Sequence, residues 1–350
     1  MKLSHLAVPP VLLAVFVSCH FAIAADAPET KPSAKPKSGE SGFSAKKKIA
    51  VPAAKPAAKP AEPAGPKPTT ANVSYGDDPS QVMDFYKCES DAPTPLVFYI
   101  HGGGWMGGSK DRVGAIPTYF AEGISVVSIE YRFVSKAATA GIKPPVQWPL
   151  HDAARALQFV RSKAKEWNID KTRITATGGS AGACSSLWLA FHDDMADPKS
   201  ADPIARESTR LLCAAVVGAQ TSLDPKQMKE WMPNSKYGGH AFGFATDVEK
   251  KISQFDAFLA GRDKIMPWIK EYSPYELVTS DDPPVHLYYG APPAMGQETK
   301  DPTHSANFGV GLQEKCKSAG VECVLSYPGA EGIEHPLTQQ YLIAKLKGTK

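Results

Sequence analysis

The sequence has few cysteines and no motif typical of a metal or redox site. Six of its 350 residues are cysteine, and no two of them have the C-x-x-C spacing of a zinc site or a redox pair. No H-E-x-x-H motif is present, and the acidic run Asp193, Asp194, Asp197 and Asp202 lacks the ligand spacing of a calcium loop. We therefore expect neither a metal nor a cofactor.

The chain also carries little net charge, and the positive charge is confined to its start. The formal net charge is +3, but residues 25–72 hold nine lysines against four acids. With Lys2 also counted, residues 73–350 have a net charge of −3. This balance leaves no large basic surface for phosphates, so we do not expect the globular part to bind nucleic acid.

Long hydrophobic runs are missing as well. The longest one near the start, Leu6 to Val17, contains a proline pair and is short for a membrane span. It follows Lys2 and precedes Ala22-Ile23-Ala24, which is typical of a cleaved signal peptide over residues 1–24. A transmembrane anchor and lipidation at Cys19 are the less favoured alternatives. The prediction is a protein that is secreted or held in the periplasm or cell envelope.

Residues 25–72 are rich in lysine, proline and alanine and poor in residues that build a core. Such a composition predicts a disordered linker. Its Lys46-Lys47-Lys48 run is either a contact for anionic envelope polymers or, as we favour, part of a solvated spacer. The remaining residues, 73–350, are predicted to form one catalytic domain.

Five cysteines remain after the signal peptide, and an odd number leaves at least one thiol free. Cys184 and Cys213 lie in apolar runs and fit core packing. Cys316 and Cys323 flank a Ser-Ala-Gly turn, where either a disulfide or two free thiols is compatible with the sequence.

From about residue 95, short apolar runs alternate with longer segments of helical period. This alternation predicts an α/β fold with a mainly parallel sheet. The predicted strands are Leu96–Ile100, Ser125–Ile129, Arg173–Thr177, Leu212–Val217, Val285–Tyr289 and Cys323–Tyr327. The predicted helices include Leu150–Trp167, Cys184–Phe191 and Asn307–Ser318.

A candidate nucleophile follows the third of these strands, in Gly178-Gly179-Ser180-Ala181-Gly182. This G-x-S-x-G pattern lies between a strand and a helix, where small neighbours allow a sharp turn that exposes the serine hydroxyl. No lysine follows Gly182, which argues against a phosphate-binding loop. Ser180 is therefore the predicted nucleophile.

A second glycine-rich loop, His101-Gly102-Gly103-Gly104-Trp105, follows the first of these strands. Consecutive glycines let backbone N–H groups approach a developing oxyanion without obstruction. We predict that the N–H groups of Gly103, Gly104 and Ala181 form an oxyanion hole. A flexible hinge is the alternative interpretation of this loop.

The sequence resembles the α/β-hydrolase-fold esterases and lipases, specifically the bacterial hormone-sensitive-lipase-like and acetyl-xylan or feruloyl esterase-like group. The resemblance rests on HGGGW, Glu130-Tyr131-Arg132, Asp170 through Ile174 and GGSAG, and it covers residues 80–345. It implies an eight-stranded, mostly parallel sheet and a catalytic triad in the order nucleophile, acid, histidine.

The resemblance also implies the other two triad residues. A Tyr-Pro-Gly-Ala stretch shortly before a histidine marks the base in such proteins, and here it precedes His335, which is preferred to His304. Pro293 stands where the acid is usual. The later Asp301-Pro302 resembles the expected motif, so Asp301 is the predicted acid and Glu298 the second choice.

Residues 221–270 form an aromatic-rich insertion, which would either shape the substrate pocket or build a small accessory core. Taken together, these features predict an exported serine carboxylic-ester hydrolase that acts on small-molecule or polysaccharide-linked esters. The alternatives are a serine peptidase of the same fold and a non-catalytic binding protein that retains the fold.

Overall fold

The computed structural model describes residues 66–348. The predicted signal peptide, Cys19, the Lys46–Lys48 run and most of the predicted linker lie outside the described residues. No helix within the described range has both the length and the apolar character needed to span a membrane.

Strands and helices alternate along most of the described chain. The strands are β1 (Thr70–Ser74), β2 (Val82–Tyr86), β3 (Thr94–Ile100), β4 (Ser125–Ile129), β5 (Ile169–Gly179), β6 (Cys213–Val217), β7 (Val285–Tyr288) and β8 (Cys323–Ser326). The α-helices are α1 (Ile116–Ala121), α2 (Val134–Thr139), α3 (Gln147–Ser162), α4 (Ala164–Trp167), α5 (Ala181–Phe191), α6 (Pro225–Trp231), α7 (Gln254–Gly261), α8 (Met266–Tyr272), α9 (Pro274–Leu277), α10 (Asn307–Ala319) and α11 (Thr338–Lys347).

Within residues 66–348 the strands form one eight-stranded sheet in the order β1-β2-β4-β3-β5-β6-β7-β8. Strand β2 is antiparallel to both β1 and β4, whereas the strands from β4 to β8 are parallel to one another. Each of the six predicted strands is present with small shifts at its ends. The predicted α/β-hydrolase architecture, a mostly parallel sheet flanked by helices, is confirmed.

The strand pattern of the sequence did not reveal β1 and β2. Asp84 stands in the middle of β2, where a carboxylate argues against a buried strand. In the fold this buried carboxylate accepts hydrogen bonds from Lys110 Nζ (2.8 Å) and from the Asn72 N–H (2.8 Å). Because β1 begins at Thr70, the folded domain starts inside the predicted linker rather than at Val73.

Helices cover both faces of the sheet, and each face has its own apolar core. Phe98 of β3 lies in the larger core, which also receives Leu157 of α3 and Leu187 of α5. Val97, the next residue along β3, points to the other face and packs in the smaller core with α1 and α11. Burial on both faces explains why the central strands are continuous apolar runs in the sequence.

The aromatic-rich insertion builds an accessory part of the larger core. Nine of its apolar side chains are buried there: Leu223, Met228, Met232, Ala241, Phe242, Phe255, Phe258, Ile265 and Ile269. No residue of 221–270 lines the pocket at Ser180. Of the two interpretations of the insertion, the accessory core therefore fits this structure better than the wall of a substrate pocket.

Cys316 of α10 and Cys323 of β8 are free thiols in this structure. Cys184 and Cys213 are completely buried, as predicted from their apolar surroundings. Burial raises the pKa of the Cys213 thiol to about 12, so it stays protonated and acts as a packing residue.

The two loops of the candidate site meet because β3 and β5 are neighbours. Ile100, at the end of β3, is in register with Gly178 of β5, so both loops leave the same edge of the sheet. A Cβ atom on Gly178 would lie 2.3 Å from the Ile100 carbonyl oxygen, and one on Gly182 would lie 2.0 Å from it. Glycine at both positions allows the contact between the strand ends.

Gly182→Ala is expected to destabilise the fold. Its methyl group would collide with the Ile100 carbonyl, and the resulting backbone shift should lower the free energy of unfolding by about 1–3 kcal/mol. Thermal and urea unfolding measure the loss. Gly114→Ala is the matched control, since no atom lies within 4 Å of its added Cβ. Equal stabilities of the two variants would contradict the close packing of the loops.

Candidate active site

Ser180 lies at the sharp turn between β5 and α5. Its backbone adopts φ 54° and ψ −121°, a strained conformation for a residue other than glycine. The Ser180 N–H donates to the Val217 carbonyl at 2.9 Å, and its carbonyl accepts from the Cys184 N–H at 2.9 Å. These bonds hold the strained turn, and the hydroxyl projects from the edge of the sheet as a nucleophile elbow requires.

A histidine and a carboxylate complete the arrangement predicted for a serine nucleophile. His304 Nε2 lies 2.9 Å from Ser180 Oγ, and His304 Nδ1 lies 2.8 Å from Asp301 Oδ2. The imidazole can therefore accept the serine proton while the carboxylate fixes its tautomer and orientation. This is the geometry of a Ser-His-Asp triad.

The prediction that His335 is the base was wrong for this geometry. His335 lines a separate cavity of about 510 Å³ between β8 and α11, and it is absent from the pocket at Ser180. The loop after β8 is tied to the strand end, since Ser326 Oγ donates to the Pro336 carbonyl at 2.8 Å. In the described chain His335 Nε2 is buried without a hydrogen-bond partner.

The acid and the base come from the same loop, the one between β7 and α10. Asp301 is three residues before His304, and its Oδ1 accepts the N–H groups of Thr303 (3.2 Å) and His304 (3.3 Å). This turn presents Oδ2 of the same carboxylate to the imidazole. Asp301, and not the second choice Glu298, is therefore the carboxylate at the histidine.

The short spacing was the sequence signal for this pair. Asp-Pro-Thr-His, which begins eight residues after Pro293, the usual position of the acid, combines a turn-forming carboxylate with a histidine. The similarity of the Tyr327–Ala330 stretch to the family pattern directed the prediction to His335 instead. Only the path of the two loops decides between the histidines.

The protonation state of Asp301 suits its role. Partial burial by itself raises the pKa of this carboxyl, but the hydrogen bond and charge of His304 and the N–H groups of the turn outweigh burial. The net effect lowers the pKa below its ordinary value. Asp301 is therefore ionised at neutral pH and can stabilise an imidazolium on His304.

The insertion and the start of α10 hold the loop that carries the acid and the base. Asn234 Nδ2 donates to the Thr299 carbonyl at 2.8 Å, and Asn234 Oδ1 accepts the Thr299 N–H at 3.2 Å. Buried Gln220 donates to the Thr303 carbonyl at 2.5 Å.

The start of α10 holds the first part of the same loop. Asn307 Nδ2 donates to both the Ala294 and the Trp231 carbonyls at 2.8 Å. These bonds anchor the loop before, beside and after Asp301.

The glycine loop is held through its carbonyl groups. His101 Nδ1 donates to the Gly102 carbonyl at 2.7 Å, and the Met106 N–H donates to the Gly103 carbonyl at 3.0 Å. In a trans peptide the next N–H points away from the carbonyl, so these two bonds set the directions of the Gly103 and Gly104 N–H groups.

Ala181 supplies the third predicted donor. It is the first residue of α5, so its N–H has no acceptor within the helix, and the helix amino terminus adds a partial positive charge. Gly102 and Gly103 line the pocket together with Ser180 and His304, whereas Gly104 and Ala181 do not. The glycine loop therefore meets the nucleophile in one pocket of about 530 Å³.

The insertion contacts the glycine loop through a histidine that the sequence analysis did not single out. His240 Nε2 lies 2.9 Å from the Gly104 carbonyl oxygen, where Gly104 adopts a left-handed φ of 63°. Burial lowers the pKa of His240, despite the opposing hydrogen bond to Gly104, so the neutral ring predominates. A neutral ring with its proton on Nε2 donates to this carbonyl and restrains the loop.

The geometry predicts that His304, and not His335, activates Ser180. His304→Ala should slow the labelling of Ser180 by a phosphonate reagent at least about 10³-fold, since a serine without its base is a poor nucleophile. His335→Ala is the matched control and should label at the rate of the unaltered protein. Mass spectrometry of the labelled peptide measures both rates. A slow His335→Ala and a normal His304→Ala would reverse the assignment.

Comparisons with known proteins agree with this fold. The BD-FAE family model matches residues 83–295, which include the glycine loop and Ser180 but end before Asp301. Gut esterase 1 of Caenorhabditis elegans is 32% identical over 123 residues. That match covers 34% of this chain and 22% of the relative, so the chain matches only about a fifth of the relative's length.

Two solved structures share the architecture. The acetyl ester-xyloside bifunctional hydrolase from Caldicellulosiruptor lactoaceticus aligns with a TM-score of 0.55 at 22% identity, over 75% of this chain and 87% of that one. A truncated carbohydrate esterase from gut microbiota aligns with a TM-score of 0.56 at 19% identity, over 79% of this chain and 96% of that one. Since the family model spans more than half of the chain and these structures share its fold, the protein belongs to the BD-FAE family and has the α/β-hydrolase fold.

Proposed function

We propose that this protein is a serine carboxylic-ester hydrolase. The observation that carries the proposal is the chain of two short contacts from Ser180 Oγ through His304 to Asp301, at 2.9 and 2.8 Å. Gly103 of the glycine loop, one of the proposed oxyanion donors, lines the same pocket as Ser180 and His304. A nucleophile, a base and an oxyanion site are the parts that acyl transfer requires.

In the first half-reaction Ser180 Oγ attacks the ester carbonyl while His304 Nε2 takes its proton. The N–H groups of Gly103, Gly104 and Ala181 stabilise the oxyanion. The C–O bond to the alcohol then breaks, and His304 returns the proton to the leaving alcohol. In the second half-reaction His304 activates a water molecule, which attacks the acyl-serine and releases the carboxylic acid and the free Ser180.

Esters on carbohydrates are the proposed substrate class. Two solved structures with this fold are described as an acetyl ester-xyloside hydrolase and a carbohydrate esterase, which supports the proposal. Site openness supports it too, because the Asp301 and His304 side chains are 61% and 40% exposed. An open site admits an ester group carried on a larger molecule.

We also propose that the protein acts outside the cytoplasm. The support is the sequence of residues 1–24, with its short apolar run and small-residue cleavage site, followed by the lysine- and proline-rich segment. Acylated polysaccharides of a cell wall or its surroundings are accessible in that location.

Hydrolysis of 4-nitrophenyl acetate tests the proposed function. The protein should release nitrophenol, and Ser180→Ala should lose at least about 10⁴-fold in kcat. Ser318→Ala, an exposed serine on α10, is the matched control and should keep full activity.

Three outcomes would contradict the proposal. Equal turnover by the protein and Ser180→Ala would show that Ser180 is not the nucleophile, and no turnover by either would favour a non-catalytic binding protein. Cleavage of short peptides with no cleavage of esters would favour the peptidase alternative.

His240 is expected to act as a positioning residue for the oxyanion donors. His240→Phe removes the donor to the Gly104 carbonyl, so the loop N–H groups lose part of their alignment. We expect kcat to fall about tenfold with little change in KM, less than the loss of a direct donor. His192→Phe at the end of α5 is the control. Unchanged kcat in His240→Phe, with unchanged stability, would contradict this role.

A further inference from the structure

The pocket at Ser180 contains an arginine with no partner. All eight arginines of the chain lie within the described residues, and Arg112 lines this pocket. The guanidinium groups of the other seven each donate to a carboxylate or a carbonyl: Arg132, Arg155, Arg161, Arg173, Arg206, Arg210 and Arg262. The Arg112 guanidinium has no hydrogen bond or ion pair within residues 66–348.

The acidic groups around the Lys110–Arg112 turn are already paired with other groups. Asp111 accepts from Ser109 Oγ at 2.7 Å and contacts Lys110 Nζ at 3.3 Å. Glu130 accepts the Lys110 N–H at 3.1 Å and lies 3.4 Å from His101 Nε2. Asp84 pairs with Lys110 at 2.8 Å. Within residues 66–348 no carboxylate forms an ion pair with the Arg112 guanidinium.

No residue that lines the pocket carries a negative charge that would repel a bound anion. Its lining contains no aspartate or glutamate, and seven of its thirteen residues are glycine. The two lining histidines have other tasks, since His101 bonds the Gly102 carbonyl and His304 bonds Ser180. Arg112 is the fixed positive charge of the pocket.

The backbone at Arg112 is held in place. Residues Lys110–Arg112 form a short 3₁₀ turn that begins at Ser109, and the Lys110 side chain is buried against Asp84. Tyr99, another lining residue, contacts the Arg112 carbonyl through its hydroxyl at 3.4 Å. The turn therefore holds the backbone of Arg112 beside Tyr99, while the residue itself is exposed to solvent.

We propose that the ester substrate carries a carboxylate, which Arg112 binds while Ser180 attacks the ester. This inference rests on the proposed function and specifies its substrate. A guanidinium presents parallel N–H donors that match the two oxygens of a carboxylate, and such a charge-assisted pair adds both affinity and orientation. The carboxylate belongs either to the acyl group or to the alcohol, as in an acylated uronic acid sugar.

The test compares matched ester pairs that differ in one carboxylate. On the acyl side, mono-4-nitrophenyl glutarate is compared with 4-nitrophenyl valerate. On the alcohol side, acetate release from acetylated methyl glucuronoside is compared with release from acetylated methyl glucoside. The pair that shows the preference identifies the side on which the carboxylate lies.

The protein should prefer the charged member of one pair, and Arg112→Gln should lower kcat/KM for that member about tenfold while leaving the neutral member unchanged. Arg112→Lys should recover only part of the preference, because an ammonium lacks the fork. Added salt should reduce the preference, since the site is open to water. Arg206→Gln, a distant exposed arginine, is the control and should behave like the unaltered protein.

The outcomes separate the inference from the function on which it rests. Turnover of the neutral esters with no preference in either pair, or an equal loss on both members in Arg112→Gln, would overturn the role of Arg112 and leave the hydrolase intact. Absence of turnover for all four esters would overturn the proposed function itself.

Discussion

The site depends on the contact between the ends of two neighbouring strands. The Ile100 carbonyl lies where a side chain on Gly178 or Gly182 would have to be, so the glycine loop and the serine turn meet with no atoms between them. This proximity brings Gly102 and Gly103 into the same pocket as Ser180. A parallel sheet makes it possible, because strands that leave the same edge bring distant parts of the chain together.

The acid and base are organised differently from the nucleophile. They lie three residues apart on one loop, where the carboxylate both caps the turn and orients the imidazole. Two residues of the insertion stabilise these loops without lining the pocket. Asn234 bonds the loop that carries Asp301 and His304, and His240 bonds the glycine loop. The insertion thus stabilises both loops by hydrogen bonds and does not line the pocket.

Much of the fold was predictable because buried strands appear in the sequence as short runs of apolar residues. The central strands are apolar on both faces, and Ser125–Ile129 was predicted to the residue. Strand β2, which lies between β1 and β4, was missed because the charge of Asp84 is neutralised by Lys110, a residue far along the chain. Ser180 was predictable for a related reason, since a strained turn needs small neighbours within a few residues of the nucleophile.

By itself the sequence predicted the α/β class, the serine turn and the glycine loop, because each depends on residues that are adjacent in the chain, whereas Asp301 came from the family resemblance with Glu298 as the alternative. The tertiary structure decided which histidine serves Ser180. His304 and His335 both follow the end of a strand, and the sequence does not indicate which of the two loops passes close to Ser180. Contacts such as Gln220 with Thr303, and Ser326 with Pro336, set the two loop paths, and they join residues whose pairing only the folded chain reveals.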